Sequence, residues 1–385
     1  MLTELSLHHD VTYLALKDEK ISLHPDEEKD PYAKEKIWLP WSEARKGSLG
    51  FFAELFGNLF SKFPYALQKY VSPSMTSWLA EAAKEDRYDL VVCDFLIPAA
   101  NFRGIEFGAP TVLFQHNMEA VIWKRLSESA GNPVKRAYLG LQFRRFDRWE
   151  RELSALFDGV VTVSPEDSAY AKSHYELNNV RGDVATGVDV DFFAPRKVID
   201  ENAIGTIGFL GSMDWMANIQ AVEYFAEEIY PTIKSEMPDI RLRIIGRNPA
   251  PSVRALAERD LSIEVTGSVD DVRPLLKECD LMIVPLLAGG GTRIKILEAM
   301  AMGVPVVSTT IGAEGLGFEN GKEIRIADGS APFAAAVQEM LGSEELRRGV
   351  SERAFLRVRD ENGWKGVTEQ FIKLCAVPGH SAKVG

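Results

Sequence analysis

The sequence predicts an α/β protein of two tandem domains, each built on a parallel sheet, and three observations carry that prediction. At 385 residues the chain is too long for a single core, since domains hold roughly 100–200 residues. Short runs rich in Val, Ile and Leu close on Gly, Pro or Asp and alternate with helical stretches, the pattern of strands buried between helix layers. Midway, residues 186–195 hold turn formers and a proline and lead into the polar stretch 196–202, which marks a boundary.

Composition bounds the function. With 46% hydrophobic and 26% charged residues, the chain belongs with folded globular proteins, not disordered ones. The 56 acidic side chains outnumber the 44 basic ones, a net charge of −12 that excludes a nucleic-acid-coating protein. Cys93, Cys279 and Cys375 are far apart and lack paired C-x-x-C spacing, so they read as reduced thiols of a cytoplasmic protein. No apolar run reaches the roughly 18–20 residues that span a bilayer, and the start at Met1 shows no basic region followed by an apolar one.

In the first half the expected strands are 10–16, 89–94, 110–114 and 158–163; in the second they are 204–210, 241–245, 263–265, 281–285 and 305–308. Open α/β sheets bind ligands at the carboxyl ends of their strands, so a ligand held between two such domains is the default expectation. Residues 48–71 break the βα rhythm. They concentrate Phe51, Phe52, Phe56, Phe60, Phe63, Tyr65 and Tyr70, and Pro64 should split them into two helices. Residues 42–72 also carry four basic side chains against two acidic ones. Two readings stay open: packing against the segment's own domain or an acceptor groove, or peripheral contact with a membrane interface.

The segment from Pro285 to Pro305 carries the chemistry. A buried-type strand runs into Gly289, Gly290, Gly291 and Thr292, then into an apolar-periodic helix that stops at Gly303. Glycines let backbone N–H groups approach a phosphate, and the unpaired N–H groups of a first helical turn favour an anion. Arg293 and Lys295 add charge where the helix dipole disfavours it, which points to a bound anion. At about 100° per residue Lys295 and Glu298 share a face, leaving Glu298 free to reach a sugar hydroxyl. A surface ion pair would explain Lys295 and Glu298 equally, but Glu298 lies in an otherwise apolar run where a carboxylate needs a partner. No Gly-Lys-Ser/Thr follows the glycines and no G-x-G-x-x-G opens the first βα unit, so kinase and dehydrogenase readings lose their support.

The run GGGTRIKILEAMAMGVPVVST, with GFLGSMDWMANIQAVEYF and TGVDVDFFAP upstream, resembles the family 4 retaining glycosyltransferases of the GT-B fold, within them bacterial sugar transferases associated with exopolysaccharide and cell-surface glycans. The resemblance covers nearly the whole chain. It implies two Rossmann-like domains facing across a cleft: an acceptor-side domain at 1–188, a linker at 189–202, a donor domain at 203–352, and a C-terminal helix within 353–376 returning to the first domain near Trp364. It implies sugar transfer from a nucleotide-diphosphate donor to a glycan or lipid-linked acceptor, with no cofactor and no metal. Arg293, Lys295 and helix-terminal N–H groups would stabilise the leaving diphosphate.

By the same resemblance Glu298 matches the second Glu of the family's E-x₇-E pattern, which bonds the donor ribose, while the first Glu falls on Gly290. Many members carry an Arg and a Lys after the first strand of the second domain; the stretch from Gly211 to Asn218 has neither. Gly246-Arg247 resembles the base-proximal turn, and Val269 opens the segment beside the nucleobase. His116 resembles the active-site histidine, and Asn117 and Glu119 are second polar contacts on the acceptor side. Asp189-Val190-Asp191 looks like the metal-binding D-x-D of the other main glycosyltransferase fold, yet its place in the linker favours a structural role. Members usually begin with a strand and a Gly-rich acceptor loop. This sequence begins where the following helix would end, so a non-catalytic nucleotide-sugar-binding protein of the same fold is the alternative; a sugar-nucleotide epimerase lacks the extra carboxylates it would need.

Overall fold

The computed structural model describes residues 1–18, 31–44, 47–195, 205–213, 215–288 and 293–376. Gly289, Gly290, Gly291 and Thr292 lie outside the described residues. Two compact units emerge, one from Met1–Val184 with Thr368–Gly385, the other from Ala185–Val367.

The first unit holds β1 (Thr12–Asp18), β2 (Glu35–Trp41), β3 (Val91–Asp94), β4 (Thr111–Gln115), β5 (Gly159–Thr162) and β6 (Val180–Asp183). Strands β3 to β6 form a parallel sheet in chain order. The expected strand 10–16 is β1, but it pairs with β2 in a separate two-stranded parallel sheet. Three helices of this unit start on a capping residue followed by proline: Ser72 before Pro73–Glu85, Asn132 before Pro133–Ser154 and Ser164 before Pro165–His174. Each capping side chain accepts a backbone N–H of the first turn, and proline at that point forfeits no hydrogen bond. Pro64 falls between the helices Leu49–Asn58 and Tyr65–Tyr70. A core of Leu113, Phe146, Leu153 and Val160 joins β4, β5 and the Pro133–Ser154 helix.

The second unit is a six-stranded parallel sheet of order β12-β11-β10-β7-β8-β9. Its strands are β7 (Thr206–Leu210), β8 (Arg241–Ile245), β9 (Ile263–Gly267), β10 (Leu281–Val284), β11 (Val306–Ser308) and β12 (Arg325–Ile326). Strand β10 is buried along its whole length, as its unbroken Leu-Met-Ile-Val run requires. Residues 353–367, expected with the returning helix, stay with this unit because Ala354 and Val358 are buried in its core. Only from Thr368, within the helix Trp364–Cys375, does the chain join the first unit, where Phe371 packs 4.8 Å from Phe114. Asp189 accepts the backbone N–H groups of Asp191 and Phe192, which closes the turn of the linker.

Candidate functional site

In the second unit, Gly211, Asn218, Gly246, Arg247 and Lys295 meet at the carboxyl ends of β7 and β8. Lys295, in the first turn of the helix Ile294–Ala301, donates to Asn218 Oδ1 at 2.9 Å, and Asn218 Nδ2 donates to the Ser212 carbonyl at 2.9 Å. Arg247 Nε donates to Ser212 Oγ at 3.1 Å. At Gly211 the approach is close: a Cβ there would lie 2.8 Å from Asn218 Nδ2 and 2.9 Å from Lys295 Nζ and would displace those side-chain ends. A Cβ on Gly246 would lie 1.8 Å from the Gly211 carbonyl oxygen, so the two strand ends touch through bare backbone. Burial and the neighbouring Arg293 push the Lys295 ammonium down to about 7, with Glu298 acting in the opposite sense. Burial raises the Glu298 carboxyl above its ordinary value, and Lys295 offsets part of that. Arg293 is buried at the N-cap of the same helix and donates to the Ile311 carbonyl at 3.3 Å.

Arg293, Lys295 and Glu298 thus bring two basic side chains and a carboxylate into electrostatic contact on one helix start, close to the strand-end glycines. Val269 does not join this group among the described contacts; it follows β9 and packs against the hydrophobic core. Next to it, Asn248, Pro249, Arg254 and Gly267 line a cavity of about 430 Å³ at the ends of β8 and β9.

In the first unit, His116 follows β4 directly. Its Nε2–H donates to Asp94 Oδ1 at 2.7 Å, and its ring stacks on Phe95 at 3.9 Å between centroids. Phe95 holds φ of 73°, a left-handed conformation costly for a bulky side chain, just past the end of β3. Asn117 Nδ2 donates to Glu119 Oε1 at 3.0 Å. Burial raises the Glu119 carboxyl, while that bond lowers it. Sequence reasoning missed Asp94 and Phe95 as partners of His116, although an Asp closing a β run was a visible signal. It also missed Glu150, which lies beneath this loop and had no signal in the highly charged stretch 144–152.

Comparison with known proteins bears on both units. Residues 7–192 match the family model described as Glycosyltransferase Family 4, and residues 205–343 match the one described as Glycosyl transferases group 1. The chain is 23% identical over 340 residues to an uncharacterized 44.6 kDa protein in the cps region of Klebsiella pneumoniae, covering 84% of this chain and 82% of that protein. It is 30% identical over 211 residues to a phosphatidyl-myo-inositol mannosyltransferase of Mycolicibacterium smegmatis, a match that spans about half the length of each, 52% and 53%. Among solved structures, a glycosyltransferase from Rickettsia africae superposes with a TM-score of 0.66 at 14% identity, covering 97% of this chain and 93% of that one. Anabaena HepE, solved in complex with UDP and glucose, superposes at 0.63 with 14% identity and the same coverage. These likenesses establish the GT-B fold.

Proposed function

Because the chain belongs to the family 4 glycosyltransferases, we propose that it moves a sugar from a nucleotide-diphosphate sugar to a glycan or lipid-linked acceptor, with retention of configuration and without a metal, in cell-surface or exopolysaccharide synthesis. The observation that carries the reading is the Lys295–Asn218 contact over Gly211, a cation held at a strand end with space cleared by a glycine. Lys295 and Arg293 neutralise the leaving diphosphate, taking the part a divalent ion plays elsewhere. In this reading Glu298 accepts donor hydroxyls, and Gly246, Arg247 and the turn at Val269 serve the base side. Gly289, Gly290, Gly291 and Thr292 contribute backbone N–H groups to the phosphates in this reading. His116, Asn117 and Glu119 serve the acceptor side. The bond from the anomeric carbon to the diphosphate oxygen breaks as the bond to the acceptor oxygen forms on the same face. The departing phosphate oxygen takes the acceptor proton.

Calorimetry with UDP, GDP and ADP, with and without EDTA, tests the donor reading. Binding of one of them, unchanged by EDTA and weakened about 10- to 100-fold in Lys295→Ala, is expected from the loss of charge-assisted bonds of about 1.5–3 kcal/mol. Absence of binding to all three, or binding unaffected in both Lys295→Ala and Glu298→Ala, sinks it.

For localisation we propose a cytoplasmic protein on the inner face of the membrane, touching it through residues 48–71. Supporting this, Leu49, Phe52, Phe56 and Phe60 of that segment are 91%, 57%, 65% and 81% exposed, an apolar face left open among the described residues. No described helix is long and apolar enough to cross a membrane. Flotation with anionic phospholipid vesicles should carry the protein, and Phe56→Ser/Phe60→Ser should leave it at the bottom of the gradient.

A further inference from the structure

One buried carboxylate holds the His116 loop from both sides. Glu150 lies in the helix Pro133–Ser154 and is fully buried. Its Oε1 accepts from the Gln115 side-chain amide and from the backbone N–H of Glu119 at 2.8 Å. Its Oε2 accepts from the backbone N–H of Ala120 at 3.0 Å and from the Tyr175 hydroxyl at 2.8 Å. Gln115 immediately precedes His116, and Glu119 and Ala120 open the helix Glu119–Ser129 that follows the loop. Tyr175 follows the helix Pro165–His174, so four elements converge on one side chain.

Four groups surround the two Glu150 oxygens: every lone pair of the ionised form is engaged, and in the neutral form that burial favours the Tyr175 hydroxyl can turn to accept the proton. Burial pushes the Glu150 carboxyl up to about 8, while the bonds from Ala120, Tyr175 and Glu119 work against that rise. A plain helix cap would account for the two backbone contacts at residues 119 and 120. It would not account for the Gln115 and Tyr175 bonds, which tie the strand end and a third helix to the same group.

We infer that Glu150 is a positioning residue for His116, holding the loop 116–118 at both ends so that the imidazole stays on Phe95 and against Asp94. The inference rests on the reading of His116 as an acceptor-side group. By fixing the residue before the loop and the two that open the helix after it, Glu150 removes the slack that three loop residues would otherwise have. Tyr175 belongs to the same device, since its hydroxyl keeps the carboxylate turned toward the helix start.

The full-length Glu150→Gln, Tyr175→Phe and His116→Ala proteins test this, with UDP-glucose and GDP-mannose hydrolysis, UDP and GDP calorimetry, and NMR of the ¹⁵N-labelled imidazoles. In Glu150→Gln the His116 imidazole signals should move while those of His8 and His9 do not. The kcat for hydrolysis should fall on the order of tenfold or more, with KM and nucleotide affinity within about twofold. Tyr175→Phe, which keeps the core volume and removes one donor, should act in the same direction by about twofold to fivefold, and it carries the test should Glu150→Gln fail to fold. Unmoved His116 signals in Tyr175→Phe and in a folded Glu150→Gln overturn the proposal. A hydrolysis loss that only follows the fraction of protein folded, with nucleotide binding reduced in step, overturns it too. Moved signals in Glu150→Gln beside undiminished hydrolysis in His116→Ala uphold the positioning and sink the role of His116.

Discussion

The strand ends at Gly211 and Gly246 and the loop at His116 place polar groups by opposite means. At the first, close approach to backbone does the work: Gly246 lies against the Gly211 carbonyl, and the Lys295–Asn218 pair sits over Gly211 where a side chain would be. At the second, side chains from distant parts of the chain reach in, Asp94 from β3 and Glu150 from a helix more than 30 residues downstream. The difference teaches that one site is intolerant of added atoms while the other is intolerant of lost hydrogen bonds.

The largest effect expected from that contrast is in the second unit. Gly246→Ala should destabilise it by about 3 kcal/mol or more, because the new methyl meets a carbonyl oxygen and not a flexible side chain. Urea unfolding followed by tryptophan fluorescence measures it, and a midpoint equal to wild type would remove the backbone-contact half of the comparison.

The next effect is electrostatic. Free Lys295 is half charged near pH 7, and an anion favours the charged form, so below pH 7 binding needs no added proton. Above it each binding event takes up a proton, and affinity for the preferred nucleoside diphosphate should fall by up to about tenfold per pH unit between pH 7 and pH 9. Calorimetry in two buffers of different ionisation heat reads the proton directly. A flat profile would mean that Lys295 stays charged throughout.

The smallest effect belongs to Asp94→Asn. The amide oxygen can still accept from His116, and the carboxylate is well exposed, so only a screened charge is lost. Turnover should drop about threefold to fivefold with nucleotide affinity unchanged. A loss as deep as that of His116→Ala would show that charge, not orientation, is what Asp94 supplies.

The same contrast explains what could be read from the sequence. The fold class was legible because β7 and β10 are largely apolar runs whose burial depends on their own residues, and β8 ends apolar at Ile244 and Ile245 despite its two arginines. Strand β2 was not legible: Glu35-Lys36 opens it and Pro40 interrupts it, and its pairing with β1 is a tertiary choice. Strand β6 reads Val-Arg-Gly-Asp and was hidden by polarity and by Gly182, whose φ is 144°. At the site, Lys295 stood out because a cation at a helix start is a local signal, whereas Gly211 and Asn218 were reached only through the family resemblance. Glu150 was invisible, since nothing in a charged helix tells which carboxylate turns inward.

The returning helix gives the molecule an order of construction. Phe371 and Leu374 pack against Phe114 and Gly182 of the first unit, so that unit is discontinuous in the chain and closes only after the whole second unit has been translated. Domains generally fold as their residues leave the ribosome. Here the half made first is finished last, and the nascent chain carries an open core face at Phe114 for nearly two hundred residues of synthesis.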